Sequence, residues 1–461
     1  MRKGEEYSGT VKGIAYPDRG RLTGPEGERV TVKCTLPGQQ ITYRVSRKRD
    51  ERIEGKLVSV DALSPLETEK PSCSSFPQCG GCLLQRMPYS AQLAMKEKEM
   101  QDLFSEVLPD NAVYDGILPS PVPFGYRNKM EFSFGTESFG GPLTLGLHKR
   151  GAIYDILQAT DCAIAHPDMR LAAQTVFAYC AEQGFPHYHK SRNTGFLRHL
   201  LLRRSESEGA LLIVLVTTSE VRHDFTPLKD RLLALPLAGR IAGILVGIND
   251  LPADMVQYQK AELLYGEPYL TERMLGLTFR ISVFSFFQTN TGAAERLYGR
   301  VRDYLRSFAE TRERRPVIYD LYSGTGTIAQ IVSPMAERVY AVELVAEATA
   351  AAAENAQLNG IGNCVFINGD VLQKLDEIEE KPDFLILDPP REGIVPKALS
   401  KIMAYDVDHM IYISCKATSF VRDMHVLRSA GWEIGRWSLA DLFPQTPHVE
   451  AIISMSRTRS K

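Results

Sequence analysis

The chain has 461 residues, too many for one hydrophobic core, so two or three domains are expected. At 44% hydrophobic and 24% charged, its composition is that of an ordinary globular protein and excludes a fibre or a largely disordered chain. The net charge of −2 gives no global basic field, yet residues 1–60 carry 13 Lys and Arg against 8 Asp and Glu, a local excess of +5 that suits either a solvated surface or a polyanion partner. The longest apolar run, Gly209 to Thr218, falls far short of the ~20 residues of a membrane helix. Met1 to Glu6 has no apolar stretch behind its basic residues, so no secretory signal is expected and the chain is assigned to the cytoplasm.

In chain order, residues 7–62 read as short strands broken by turns at Asp18-Arg19-Gly20, Gly24 to Gly27 and Pro37-Gly38, the pattern of a small β-barrel. Arg44, Arg47, Lys48, Arg49 and Arg52 fall along one strand-loop edge of it, either an RNA-facing surface or a solvated one. Residues 63–88, rich in Pro, Ser, Cys and Gly, are irregular. Tyr89 to Phe104 has helical spacing at Leu93, Met100, Leu103 and Phe104. From about 115 to 282, strand-like stretches such as Lys129 to Phe134 and Leu211 to Thr217 alternate with short helices. Regular helix–strand alternation from about 290 onward predicts a parallel sheet covered by helices.

Eight cysteines in a reducing compartment do not suggest a disulfide framework. Cys34, Cys180 and Cys364 stand alone and read as small buried hydrophobes. Cys73, Cys79 and Cys82 lie within ten residues, with Gly80-Gly81 allowing a tight wrap, and Cys162 is the candidate fourth thiolate. Four thiolates suit structural zinc or an iron–sulfur cluster equally.

Val317 to Thr327 reads as a buried strand, a glycine turn (Gly324-Thr325-Gly326) and a helix, which brings backbone close to a ligand at the carboxyl edge of a sheet. A second strand, Val339 to Val342, ends in Glu343, 23 residues after Asp320, where doubly wound sheets place an acid for ribose hydroxyls. Asn368-Gly369-Asp370 ends a third strand and could contact adenine. The missing third glycine counts against a nicotinamide cofactor and favours S-adenosylmethionine. Leu385 to Leu387 then ends in Asp388-Pro389-Pro390, and Met410 to Ser414 ends in Cys415, so an acid and a thiol meet at the same edge. That acid-rich edge opposes a freely formed thiolate.

These stretches, with Ser285 to Asn290, Asp388 to Gly393, Ser414-Cys415 and Phe443 to Glu450, occur in an order that resembles the RNA uracil-C5 methyltransferases, specifically the iron–sulfur 23S ribosomal RNA members. The resemblance implies an α/β chain with three parts. These are a TRAM-like, OB-like RNA-binding barrel over 1–62, a central α+β iron–sulfur and RNA-binding domain over 63–282, and a Rossmann-like methyltransferase domain over 283–461. It implies 5-methyluridine formation, with Cys415 as nucleophile on uracil C6 and Glu450 as the base that removes the C5 proton. Gln288, Tyr322, Glu343 and Asp388 match the family's cofactor contacts, and Asp370 is added from its strand-end position. Cys73, Cys79, Cys82 and Cys162 are implied to hold a [4Fe–4S] cluster, in a monomer with no membrane partner.

The target base must leave its stack. Gly125 to Lys129 and Gly195 to His199 are read as either RNA-contacting segments or structural strands with solvated charges. The rival enzyme is a transfer RNA uracil-C5 methyltransferase, a branch that generally lacks the barrel and the cysteines. The rival of another class is a non-catalytic RNA-binding iron–sulfur protein. One departure stands out: the family usually follows the cysteine with Asn-Pro, where this chain has Lys416-Ala417. Losing the proline is expected to loosen the turn, and Lys416 to favour the thiolate by its charge.

Overall fold

The structure, a computed structural model, describes residues 1–49 and 52–457; the last four residues of the expected 283–461 domain lie outside the described residues. Residues 6–62 form a six-stranded sheet whose alternating side chains enclose one core of Val11, Leu22, Val30, Val32, Ile41, Tyr43, Val45 and Ile53. Alternation of period two is what allows one face to be buried here and the other solvated. Arg44, Arg47, Lys48, Arg49 and Arg52 are all exposed on its longest hairpin, strands Gln40–Arg49 and Arg52–Ala62.

A second, seven-stranded sheet runs from Lys129 to Gly266, with helices Pro167–Glu182 and Thr226–Leu233 packed over its apolar face. Strand Ala210–Thr217 is buried throughout, in keeping with its continuous hydrophobic run, whereas Leu197–Arg204 is buried almost throughout although it carries Arg198, His199 and Arg203.

The third sheet positions the site. In chain order its elements are α1 (Tyr89–Phe104), β1 (Val113–Leu118), α2 (Thr291–Ala309), β2 (Val317–Leu321), β3 (Arg338–Glu343), α3 (Ala346–Leu358), β4 (Cys364–Asn368), β5 (Phe384–Leu387), β6 (His409–Ser414), α4 (Ala417–Ser429), β7 (Trp432–Ala440) and β8 (Glu450–Arg457). The strand order is β4-β3-β2-β5-β6-β8-β7-β1. The first five are parallel, β8 is antiparallel to both neighbours, and β1 pairs in parallel with β7. Order reverses between β2 and β5, so their carboxyl ends open the crevice where α/β sheets bind ligands.

Residues 89–118 precede the expected boundary at 282/283, yet they supply an edge strand and a helix to this sheet. Met100, Phe104 and Val107 are fully buried in the same cluster as Phe420, Trp437 and Leu439. Phe104 meets Phe420 and Trp437 edge-on, each at 5.3 Å between ring centroids. A boundary in sequence is not a boundary in space here, because a helix of 16 residues with an apolar face needs an apolar partner, and α4 with β1 and Trp437 of β7 provides it.

Candidate active site

Five strands deliver their last residues to one edge. Tyr322 follows β2, Glu343 ends β3, Asp370 lies just beyond β4, Asp388 follows β5 and Cys415 follows β6. Glu450 arrives from the opposite direction. Because β8 runs antiparallel to β6 with Ser414 opposite Ala451, its first residue stands across from Cys415. A thiol and a carboxylate 35 positions apart thus become neighbours through strand register alone.

The glycine turn is built around Glu343. One carboxylate oxygen accepts the Gly324 N–H at 2.9 Å and the other the Val345 N–H at 2.8 Å. Each oxygen keeps a further lone pair, so the acid both shapes the loop and stays able to accept a ligand hydroxyl. Gly326, at φ 67°, cannot be replaced cheaply, because a Cβ would lie 2.6 Å from the Phe366 ring and 2.8 Å from Ala352. Tyr322 adopts φ 66°, a left-handed conformation that costs a bulky residue energy. Asp370 is exposed and caps the short helix after it, accepting the Leu372 N–H at 2.7 Å. Gln288 is half-buried, and its carbonyl accepts the Asn128 side-chain amide at 2.9 Å. Asn290, two residues on, caps α2 and donates to Ser120 and the Leu442 carbonyl.

Electrostatics at this edge are those of an acid cluster opposed by Arg391. Burial pushes the Glu450 carboxyl up to about 8, with Asp388 adding repulsion and Arg391 opposing. Burial alone lifts Asp388 to about 7. Asp320, wholly buried in β2, is raised well above the usual carboxylate range by burial and by Asp388, with the Ala329 backbone opposing. Cys415 is half-buried, and its thiol is pushed up to about 11 by desolvation and then by Glu450 and Asp388, while Arg391 lowers it. The resting site therefore holds a neutral thiol.

Lys416 is exposed and occupies the N-cap of α4 with no side-chain cap bond, and Arg391, within the Asp388 to Gly393 stretch, is a cation that lowers the thiol. Asn-Pro would be a better start for this helix, since Asn can accept an orphan amide and Pro suits the first helical position. Lys416 already has the extended backbone (φ −143°, ψ 92°) that a following proline requires. The double variant Lys416→Asn/Ala417→Pro is expected to gain about 1 kcal/mol of stability in denaturant melts.

The segment Asp441–Val449, which leads into Glu450, is clamped from three sides. Asp441 is fully buried and meets Lys96 of α1 at 2.7 Å and the Tyr89 hydroxyl at 3.0 Å. The Gln445 carbonyl accepts the amides of Leu83 and Leu84 at 2.9 and 3.0 Å, and the Tyr126 hydroxyl donates to the Pro444 carbonyl at 3.0 Å. Leu83 directly follows Cys82, so the cysteine-rich loop is hydrogen-bonded to the segment that aims the carboxylate.

That loop folds onto residues 148–162. Arg150 donates to the carbonyls of Cys79 and Cys82, Ser74 to the Asp161 carboxylate, and the Gly81 amide to the Cys79 sulfur at 3.4 Å. Cys162 thereby comes into the electrostatic neighbourhood of Cys73, Cys79 and Cys82, and burial raises the thiols of Cys82 to about 11 and Cys162 to about 12. Among the described residues no three Cys, His, Asp or Glu side chains are grouped as ligands of one metal ion. Of the three lone cysteines, Cys180 is buried, while Cys34 and Cys364 are half-buried.

Two segments left open in sequence have structural duties. Asn128 ties the second sheet to α2 through Gln288 and Thr291. Arg198 is buried, donates to the carbonyls of Asn249, Leu251 and Ala253, and lies over the Tyr188 ring. His199 is buried between Ser133 and Asp254.

Residues 261–458 match the family model of tRNA (uracil-5-)-methyltransferases. An uncharacterised RNA methyltransferase of Clostridium tetani is 40% identical over 457 residues, covering 99% of both chains. Counterparts in Clostridium acetobutylicum and Caldanaerobacter subterraneus are each 41% identical, over 99% and 98% of this chain and 99% of their own. The crystal structure of Pyrococcus abyssi tRNA (uracil-54, C5)-methyltransferase with S-adenosyl-L-homocysteine shares the fold, with a TM-score of 0.72 at 23% identity, over 97% of this chain and 100% of that one. With near full-length identity of this order to enzymes of that kind, the chain belongs to the RNA methyltransferase family.

Proposed function

We propose that this protein transfers a methyl group from S-adenosylmethionine to C5 of a uridine in 23S ribosomal RNA. The observation that carries the reading is the β6–β8 register, which sets Cys415 across from Glu450 beside the glycine turn. When bound, S-adenosylmethionine supplies an electrophilic methyl on a cationic sulfonium. The edge suits such a ligand, since the acids Asp320, Asp388 and Glu450 interact there and outnumber the opposing Arg391. Tyr322, Glu343, Asp388 and Gln288 would hold it, with Asp370 at the margin.

The chemistry assigned to the chain's own residues is short. Cys415 Sγ loses its proton to solvent water and bonds to uracil C6, sending the C5–C6 electron pair toward C5 and the C4 carbonyl. Once C5 has taken the methyl, the Glu450 carboxylate removes the C5 proton, and the returning electrons break the C6–S bond. Both groups work deprotonated, and both are raised. Methyl transfer is therefore expected to climb through pH 8 and to keep rising above it, checked as kcat/KM against pH; a profile flat from 6 to 9 would remove both assignments.

The four cysteines are assigned to a [4Fe–4S] cluster. A single zinc ion needs its ligands grouped about one point, whereas a four-iron cube takes one thiolate per iron and spaces them more widely. Its role is structural, through the Leu83 and Leu84 bonds to Gln445. Iron, sulfide and zinc analysis of anaerobically purified protein tests this. The exposed arginines of the N-terminal sheet, read as a TRAM-like barrel over 1–62, suit RNA phosphates.

Transfer RNA is the second reading, favoured by the fold shared with the archaeal tRNA enzyme along 97% of this chain. That likeness means the presence of an N-terminal sheet does not by itself separate the two substrates. Mapping 5-methyluridine in ribosomal and transfer RNA from a deletion strain decides between them, and no loss in either would overturn the proposal.

A further inference from the structure

Tyr16 lies in the turn between strands Gly13–Ala15 and Arg19–Thr23 of the N-terminal sheet, more than 390 residues before Cys415. Its ring packs against the apolar cluster of the third sheet. The hydroxyl is buried and its O–H finds no acceptor; the Val449 backbone amide lies beside its oxygen. Its ionisable neighbours are Glu450, Cys415 and Glu99, the last a buried carboxyl of α1 whose two oxygens are also unpartnered. The same turn brings Asp18 close to His448 and is pinned by the Cys34 amide, which donates to the Asp18 carbonyl at 2.7 Å.

A phenylalanine would fill this space without the cost of dehydrating a hydroxyl, so packing does not explain the oxygen. A donor left idle on the cluster that carries Val449, within electrostatic reach of the proposed nucleophile and base, is, however, suited to a ligand that arrives between them. We infer that Tyr16 is a substrate-contacting residue of the methyl-transfer site, its hydroxyl donating a hydrogen bond to a carbonyl oxygen of the flipped-out pyrimidine. The inference rests on the function proposed above. Addition of sulfur to C6 moves negative charge onto the ring's carbonyl system, and a donor already in place stabilises that charge without reorganisation. The N-terminal sheet then completes the catalytic pocket as well as offering a basic surface.

The test uses full-length protein, tritiated S-adenosylmethionine and ribosomal RNA from a strain lacking the gene. Tyr16→Phe is expected to lower kcat/KM about 10- to 100-fold, with an unchanged or higher thermal midpoint and unchanged filter-bound affinity for the same RNA. A wild-type rate in Tyr16→Phe, or a lowered midpoint that makes the hydroxyl a folding group, would overturn the inference. Replacement by 3-fluorotyrosine keeps both ring and hydroxyl and should retain transfer; a loss equal to that of Tyr16→Phe would place the effect in packing and overturn it as well. No transfer by the wild type would instead remove the proposed function, and this inference with it.

Discussion

Replacing Cys415 by alanine is expected to abolish methyl transfer, a loss of roughly five orders of magnitude in turnover, because no other group at the edge can open the C5–C6 double bond. Binding of S-adenosylmethionine should persist, since the glycine turn and Glu343 stand apart from the thiol. Glu450→Gln separates the two halves of the reaction. Addition and methylation proceed, the C5 proton stays, and a covalent protein–RNA adduct accumulates on denaturing gels. Absence of that adduct would take Glu450 out of the base role.

Glu450→Gln also has a stability signature. The folded-state carboxyl sits at about 8, above its ordinary value, so between pH 5 and 8 the folded protein holds a proton that the unfolded chain has released. Stability contributed by this group is present at low pH and is lost as pH rises toward 8. Glutamine removes that dependence, and its thermal midpoint should exceed the wild type's by a few degrees at pH 8 and by less at pH 5, an order of magnitude set by ~1–2 kcal/mol in a chain of this size.

Lys96→Met is expected to be the most damaging substitution outside the reacting groups, at about 3–5 kcal/mol in denaturant unfolding. Lys96 and Asp441 are both fully buried and 2.7 Å apart, and burial lowers the Lys96 pKa while Asp441 raises it. Methionine keeps the volume but strands the carboxylate, leaving it the Tyr89 hydroxyl and the Phe443 amide. Lys96 also donates to the Phe443 carbonyl, so the segment before Glu450 loosens and methyl transfer falls even where the protein stays folded. Adding Asp441→Leu should recover much of the stability, because a buried pair replaced by apolar groups is often neutral, but not the activity. Additive losses in the double variant would contradict the pairing.

Much of the site could be read along the chain because its residues sit at strand ends. A run of buried residues closed by an acid, a glycine or a cysteine locates Tyr322, Glu343, Asp388 and Cys415 on one edge by local pattern alone. The helix Tyr89–Phe104 was equally legible, its apolar spacing marking both limits. Less could be said of residues whose meaning comes from distant partners. Arg198 and Asn128 looked like surface positions, since charge and amide types are usually exposed, and burial was made tolerable by backbone carbonyls and side chains 50 to 163 positions away. Glu450 had no local signal beyond resemblance, and it gains its place from an antiparallel strand register.

Local chemistry in the sequence thus determined the strands, the glycine turn, the thiol and the acids at one sheet edge, because periodicity and turn residues act over a few positions. Only the tertiary structure decided that residues 89–118 join the methyltransferase sheet, that Lys96 is spent on Asp441, that Arg391 comes within electrostatic reach of the thiol, and that the Tyr16 ring packs on this sheet. Each of those depends on desolvation and on partners brought together across tens to hundreds of residues, and no spacing along the chain encodes them.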